Sequence, residues 1–119
     1  MNALGRALDK PDSYFKEMTS GGNSILRPIH YSNGVHLSEP EDACLMTILM
    51  SGISGSTELL DRHGKWQEVV IKKGELVVAP GKMLARITDD KIKATTHRLT
   101  NPKGLNQKSY SMAFFVIGN

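Results

Sequence analysis

The chain has 119 residues, with 15 basic and 12 acidic side chains, a formal net charge of +3 and 39% hydrophobic residues. That length fits one domain with one core, and the balance of apolar and charged residues excludes a disordered tail, a collagen-like repeat and a membrane-embedded bundle. The longest apolar run, Cys44 to Met50, is interrupted by Thr47 and is too short to span a bilayer.

Met1 to Lys10 carries basic residues but no apolar stretch followed by a small-residue cleavage site, so no secretory signal is expected. A lone cysteine, Cys44, forms no internal disulfide. Both features predict a cytoplasmic protein. The charges are interspersed, and the basic pairs Lys72-Lys73 and Lys91/Lys93 read as solvated strand ends rather than a basic stripe. Neither a nucleic acid nor a membrane is an expected partner.

In chain order, residues 1–23 read as a helical segment. Leu4, Ala7 and Leu8 share a face, Pro11 interrupts, and Asp12 is placed to cap a second turn through Tyr14, Phe15 and Met18 that ends at Gly21-Gly22. Residues 24–119 change to short β-type runs. These are Ile25 to Tyr31, Leu45 to Ser51, Thr57 to Leu60, Trp66 to Val70, Glu75 to Ala79, Met83 to Ile87, Lys93 to Leu99 and Ser109 to Ile117. Asp61-Arg62-His63-Gly64, Lys72-Lys73-Gly74, Pro80-Gly81 and Asp89-Asp90 supply hairpin-type turns. The expected fold is all-β, a jelly roll (double-stranded β-helix) of about eight strands.

Several segments then carry a family likeness. Ile25-Leu26-Arg27-Pro28-Ile29-His30-Tyr31 resembles the strand that opens the core of the Fe(II)/2-oxoglutarate-dependent oxygenases, in their isopenicillin-N-synthase-like branch. Leu59 to Trp66, Gly74 to Val78, Met83 to Thr88, Thr96 to Pro102 and Ser109 to Phe115 are similar to successive segments of that core, in the same order and at the same spacing.

The resemblance implies Fe(II) held on one face by a histidine, a carboxylate two residues later and a distant histidine, with positions left for 2-oxoglutarate and oxygen. Residues i and i+2 of a strand point to the same side, which suits the H-x-D spacing. His97, in Thr-His-Arg-Leu-Thr-Asn-Pro, matches the distant histidine, and Asp42, five residues before Thr47, matches the carboxylate. Pro40 stands where the first histidine is expected and has no imidazole to offer. His36 is the candidate replacement, although an extended strand puts it ~13 Å before the expected position.

For 2-oxoglutarate, the family uses an R-x-S strand motif, because a guanidinium pairs bidentately with a carboxylate. Ser111 matches the serine, but Ser109 takes the arginine's place. Lys108 is adjacent, though strand alternation turns it to the other face. Tyr31 matches a position that faces the co-substrate pocket in relatives. Thus Asp42, His97 and His36 are the candidate metal ligands, and Ser111, Tyr31 and Lys108 the candidate co-substrate contacts. Ala79-Pro80-Gly81-Lys82 also departs from the family's Asn-x-Gly-Asp turn, and intact members are longer.

Ordinary structural roles compete with each of these. His97 could be a buried polar residue, Tyr31 a core aromatic, and Glu39-Pro40-Glu41-Asp42 a solvated acidic turn, which the proline favours. His63 belongs to an exposed turn, Cys44 to an inert buried position, the methionines to core filling, and Trp66 to one end of the barrel.

The departures at Pro40 and Ser109 predict a diverged oxygenase-like domain with lost or weakened catalysis, acting as a binding or interaction module for a small molecule or a second copy of itself. The alternative is a minimal active dioxygenase on an unknown small molecule, with His36 as the third iron ligand and 2-oxoglutarate as co-substrate.

Overall fold

The computed structural model describes residues 1–31, 37–39, 42–50, 56–100 and 109–118. Two short helices, α1 (Asn2–Ala7) and α2 (Tyr14–Thr19), precede β1 (Ile25–Tyr31), β2 (Leu37–Glu39), β3 (Met46–Met50), β4 (Ser56–Leu60), β5 (Trp66–Val69) and β6 (Leu76–Pro80). Then come α3 (Lys82–Ile87), β7 (His97–Thr100) and β8 (Ser109–Val116).

The strands form two four-stranded sheets, ordered β1-β8-β3-β6 and β2-β7-β4-β5. All pairings are antiparallel. The chain passes repeatedly from one sheet to the other, as a jelly roll requires, and of the described strands only β4 and β5 are both consecutive and paired. Their connection is the expected Asp61–Gly64 turn. Asp61 accepts hydrogen bonds from the backbone N–H groups of His63 and Lys65, and Gly64 takes a φ of +77° that a side chain would disfavour.

Pleating gives the first sheet two distinct faces. On one, Phe114 and Val116 of β8 and Met46 and Ile48 of β3 meet Phe15, Leu45 and Leu84. Leu4 and Leu8 of the first helical stretch, Met18 of α2 and Met83 of α3 complete that cluster. Farther along the same face, Leu26, Leu76 and Val78 stay exposed. The opposite face carries the buried residues Thr47, Leu49, Ala79 and Ala113.

Several expectations are corrected. Met83 to Ile87 is helix α3, not a strand: Lys, Met, Leu, Ala and Arg all favour a helix, and Leu84 and Ala85 present one buried side. In the Lys93 to Leu99 run, the strand begins only at His97. Lys72–Gly74 turns, with Gly74 at a φ of +86°, but β5 and β6 lie in different sheets, so it is a crossover and not a hairpin. Pro80-Gly81 joins a strand to α3, and Asp89 and Asp90 close that helix with positive φ.

Asp12 does not cap α2, whose N-cap is Ser13; it pairs instead with Arg6. Trp66 lies beneath the Arg98 guanidinium, 4.0 Å from ring centroid to carbon, and Arg98 also pairs with Glu58. Register places Trp66, Glu58 and Arg98 on the face of their sheet opposite His97, so Trp66 does not seal the barrel. Met112 is exposed rather than core filler. No helix among the described residues is long and apolar enough to cross a membrane.

Candidate metal and co-substrate site

Asp42 and His97 are 55 positions apart in sequence yet converge, and the backbone around Gly81 explains how. The loop leading into β3 lies against the start of α3. The N–H of Lys82 donates to the Asp42 carbonyl at 2.7 Å, that of Met83 to Cys44 at 3.2 Å, and that of Gly81 to Leu45 at 3.0 Å. These are N–H groups at a helix start that have no partner within the helix, and the loop satisfies them. The approach is so close that a Cβ on residue 81 would sit 2.1 Å from the Cys44 carbonyl oxygen. Glycine is required there for space, not for its φ of −102°.

The anchored loop fixes the Asp42 side chain. Thr47 on β3 donates its hydroxyl hydrogen bond to Oδ2 of Asp42, and the Cys44 sulfur lies 3.3 Å from that same hydroxyl oxygen. Nε2 of His97 stands 3.8 Å from Oδ2, with the two side chains only 9% and 11% exposed. This corrects the reading of Asp42 as part of a solvated acidic turn. A carboxylate bonded by a threonine hydroxyl, with an imidazole beside it and little exposure to water, is not a loop surface.

His97 is thus one of the few buried polar side chains among the described residues, and its Nδ1 has no hydrogen-bond partner among them. Histidines that ligate metals ordinarily donate that second nitrogen to a carbonyl or carboxylate, which fixes the tautomer. Burial pushes the Cys44 thiol up from its ordinary pKa, the Asp42 charge adds to the rise, and the Thr47 hydrogen bond opposes it. Cys44 is thus a buried free cysteine with its thiol held in the protonated direction.

Asp42 and His97 would be two of three ligands for the Fe(II) that the resemblance implies. No group of three or more His, Cys, Asp or Glu residues able to hold a metal occurs among the described residues. The described donors therefore do not make a complete Fe(II) site. His36 and Pro40 lie outside the described residues, as does Lys108. On β8, Ser111 pairs with Ile29 and Ser109 with Tyr31, which sets positions 109 and 111 beside the opening strand. His30 stacks against Tyr110 at 4.7 Å on the opposite face of that sheet. His63 is exposed in its turn.

Two contributors are not identifiable from the sequence. Thr47 stands there only as a break in an apolar run, and Gly81 as a glycine after proline; their three-dimensional neighbours reveal that both hold Asp42.

Comparison with known proteins identifies the family. The family model for the 2OG-Fe(II) oxygenase superfamily matches residues 23–117. A 2-oxoglutarate-Fe(II) type oxidoreductase of Emericella nidulans is 29% identical over 98% of this chain and 36% of its own length. A proline hydroxylase of Petromyces alliaceus is 30% identical over 97% of this chain and 41% of its own. Among solved structures, a putative 2OG-Fe(II) oxygenase family protein of Caulobacter crescentus superposes with a TM-score of 0.84 at 30% identity, over 98% of this chain and 41% of that one. A C-terminally truncated protein of Neurospora crassa, in its apo form, gives 0.86 at 29% identity, over 98% of this chain and 45% of that one. The chain thus spans less than half the length of these relatives. With its jelly roll and a family-model match that covers residues 23–117, the chain belongs to the 2-oxoglutarate–Fe(II) oxygenase superfamily.

Proposed function

We propose that this domain keeps the oxygenase jelly roll but has weak or no iron-dependent oxidation, and that it serves as a binding module. The observation that supports this reading is the donor set beside His97: Asp42 is bonded to Thr47 and stands 3.8 Å from the imidazole, which makes two candidate ligands among the described residues. The sequence adds a proline at position 40, where the superfamily's H-x-D motif needs an imidazole, and a serine at position 109, where R-x-S needs a guanidinium. Two ligands hold Fe(II) weakly, and a co-substrate carboxylate without its arginine loses a bidentate partner.

When bound in this superfamily, Fe(II) and 2-oxoglutarate supply the oxidising chemistry. In this chain, Asp42 and His97 are the residues that would face the metal, with Thr47 orienting the carboxylate and Ser111 on the co-substrate's strand. The exposed apolar residues Leu26 on one edge strand of the first sheet and Leu76 and Val78 on the other are the surfaces through which a second copy of the chain would dock.

Anaerobic calorimetric titration with Fe(II) or Mn(II) tests the reading. Binding no tighter than millimolar is expected. Tight binding accompanied by 2-oxoglutarate-dependent succinate formation overturns it and favours the minimal dioxygenase, with His36 as the ligand to examine first.

A further inference from the structure

Beside Asp42 lies an open cleft of about 270 Å³, lined by Ile25, Arg27, Phe115, Ile117 and the loop 42–44, with Ile25 and Arg27 on its solvent-exposed side. Ile25 pairs with Phe115 and Arg27 with Ala113, so strand alternation sets Ile25, Arg27 and Phe115 on one face of their sheet, the face that buries Thr47 and Ala113, and Ile117 follows just past the end of β8. The Arg27 guanidinium lies 5.2 Å from the Phe115 ring centroid. A guanidinium stacked on an aromatic face keeps its N–H edge available for a planar acceptor in its own plane.

We propose that this cavity binds a small amphipathic monocarboxylic acid, with Arg27 taking the carboxylate and Ile25, Phe115 and Ile117 covering an aryl or branched alkyl group. The assignment rests on the reading of the domain as a binding module. Three observations select the ligand class. The walls supply one guanidinium, which matches one carboxylate. The remaining walls are mainly apolar, so the rest of the ligand is apolar too. Asp42 lines the same cavity, and its negative charge disfavours a second carboxylate nearby. A dicarboxylate such as 2-oxoglutarate is therefore a poorer fit than a monoacid. The volume lies just below the ~300–1,000 Å³ typical of sites for drug-sized ligands, which suits an acid with a single ring.

The test is calorimetric titration of the full chain, in EDTA, with 3-phenylpropionate, with its alcohol 3-phenylpropanol, and with 2-oxoglutarate. Phenylpropionate is expected to bind at least tenfold more tightly than either of the others, and Arg27→Gln to weaken it at least tenfold. Arg27→Lys, which keeps the charge but loses the fork, should fall between, and circular dichroism establishes that both variants are folded. Absence of phenylpropionate binding, equal binding by Arg27→Gln, or tighter binding of 2-oxoglutarate overturns the proposal. Because EDTA removes metal from every titration, these outcomes are independent of the iron and succinate measurements that test the loss of catalysis.

Discussion

Nε2 of His97 faces Oδ2 of Asp42 at 3.8 Å, and both side chains are shielded from water. A histidine and a carboxylate that share so small a space either grip a cation or rely on each other, and here Thr47 already shares the carboxylate. In the proposed reading the group to restore is an imidazole at position 40, so placing one there tests that reading directly. Pro40→His with Ser109→Arg should raise Mn(II) affinity at least tenfold, and 2-oxoglutarate affinity with it, as read by anaerobic titration. A double variant that binds both no better than the parent would show that positions 40 and 109 are not the lost ligand and the lost clamp.

Thr47 holds the arrangement from behind. Its hydroxyl serves both Asp42 and Cys44, and Thr47 itself is only 1% exposed, so Thr47→Val leaves a buried carboxylate short of a donor. A loss of about 1–3 kcal/mol is expected in chemical denaturation. Thr47→Ser, which keeps the hydroxyl, should recover most of it. Equal destabilisation by both would mean that the methyl group matters and the hydrogen bonds do not.

Much of this architecture is legible in the sequence, for reasons that also explain what is not. Short β-type runs bounded by turn residues mark β1, β3, β6 and β8, although apolar residues fall on both faces of the sheet: Leu26, Leu76 and Val78 are exposed on one, Ala79 and Ala113 buried on the other. The Asp61–Gly64 hairpin is readable because its bonds are local. Helix α3 is not, since six residues are too few for helical periodicity to separate from strand alternation, and its stability comes from Leu84 in the core. The setting of Asp42 is hidden as well, because a run of Glu, Pro, Glu and Asp looks solvated until β7, more than 50 positions later, lays His97 against it.

Gly81 turns that distant contact into a mutational test. A methyl group at position 81 would meet the Cys44 carbonyl at 2.1 Å and the Asp42 carbonyl at 2.9 Å, so the loop must move. Gly81→Ala should therefore lower stability by about 1–3 kcal/mol, the usual cost of overpacking. It should also expose Cys44, whose thiol in the parent is buried and held above its ordinary pKa. Reaction with an aromatic disulfide at pH 8 should be slow in the parent and clearly faster in the variant. Unchanged melting and unchanged thiol reactivity would mean that the loop is not braced on α3.

The Asp61 turn gives a pH test far from the site. Its carboxyl is held below the ordinary value of 3.8, chiefly by the Lys65 backbone N–H, then by the Gln67 amide and the His63 N–H. A carboxyl whose folded pKa is depressed stabilises the fold above its unfolded pKa, and that contribution is lost as pH falls toward the folded value. Asp61→Asn should therefore melt at a lower temperature than the parent at pH 7, with the gap narrowing below about pH 4, where the unfolded chain begins to take up the proton. The magnitude will be modest, because the turn is solvated and salt screens it. A gap that widens on acidification would mean that the carboxylate's hydrogen bonds to Lys65, Gln67 and His63 do not stabilise the β4–β5 hairpin.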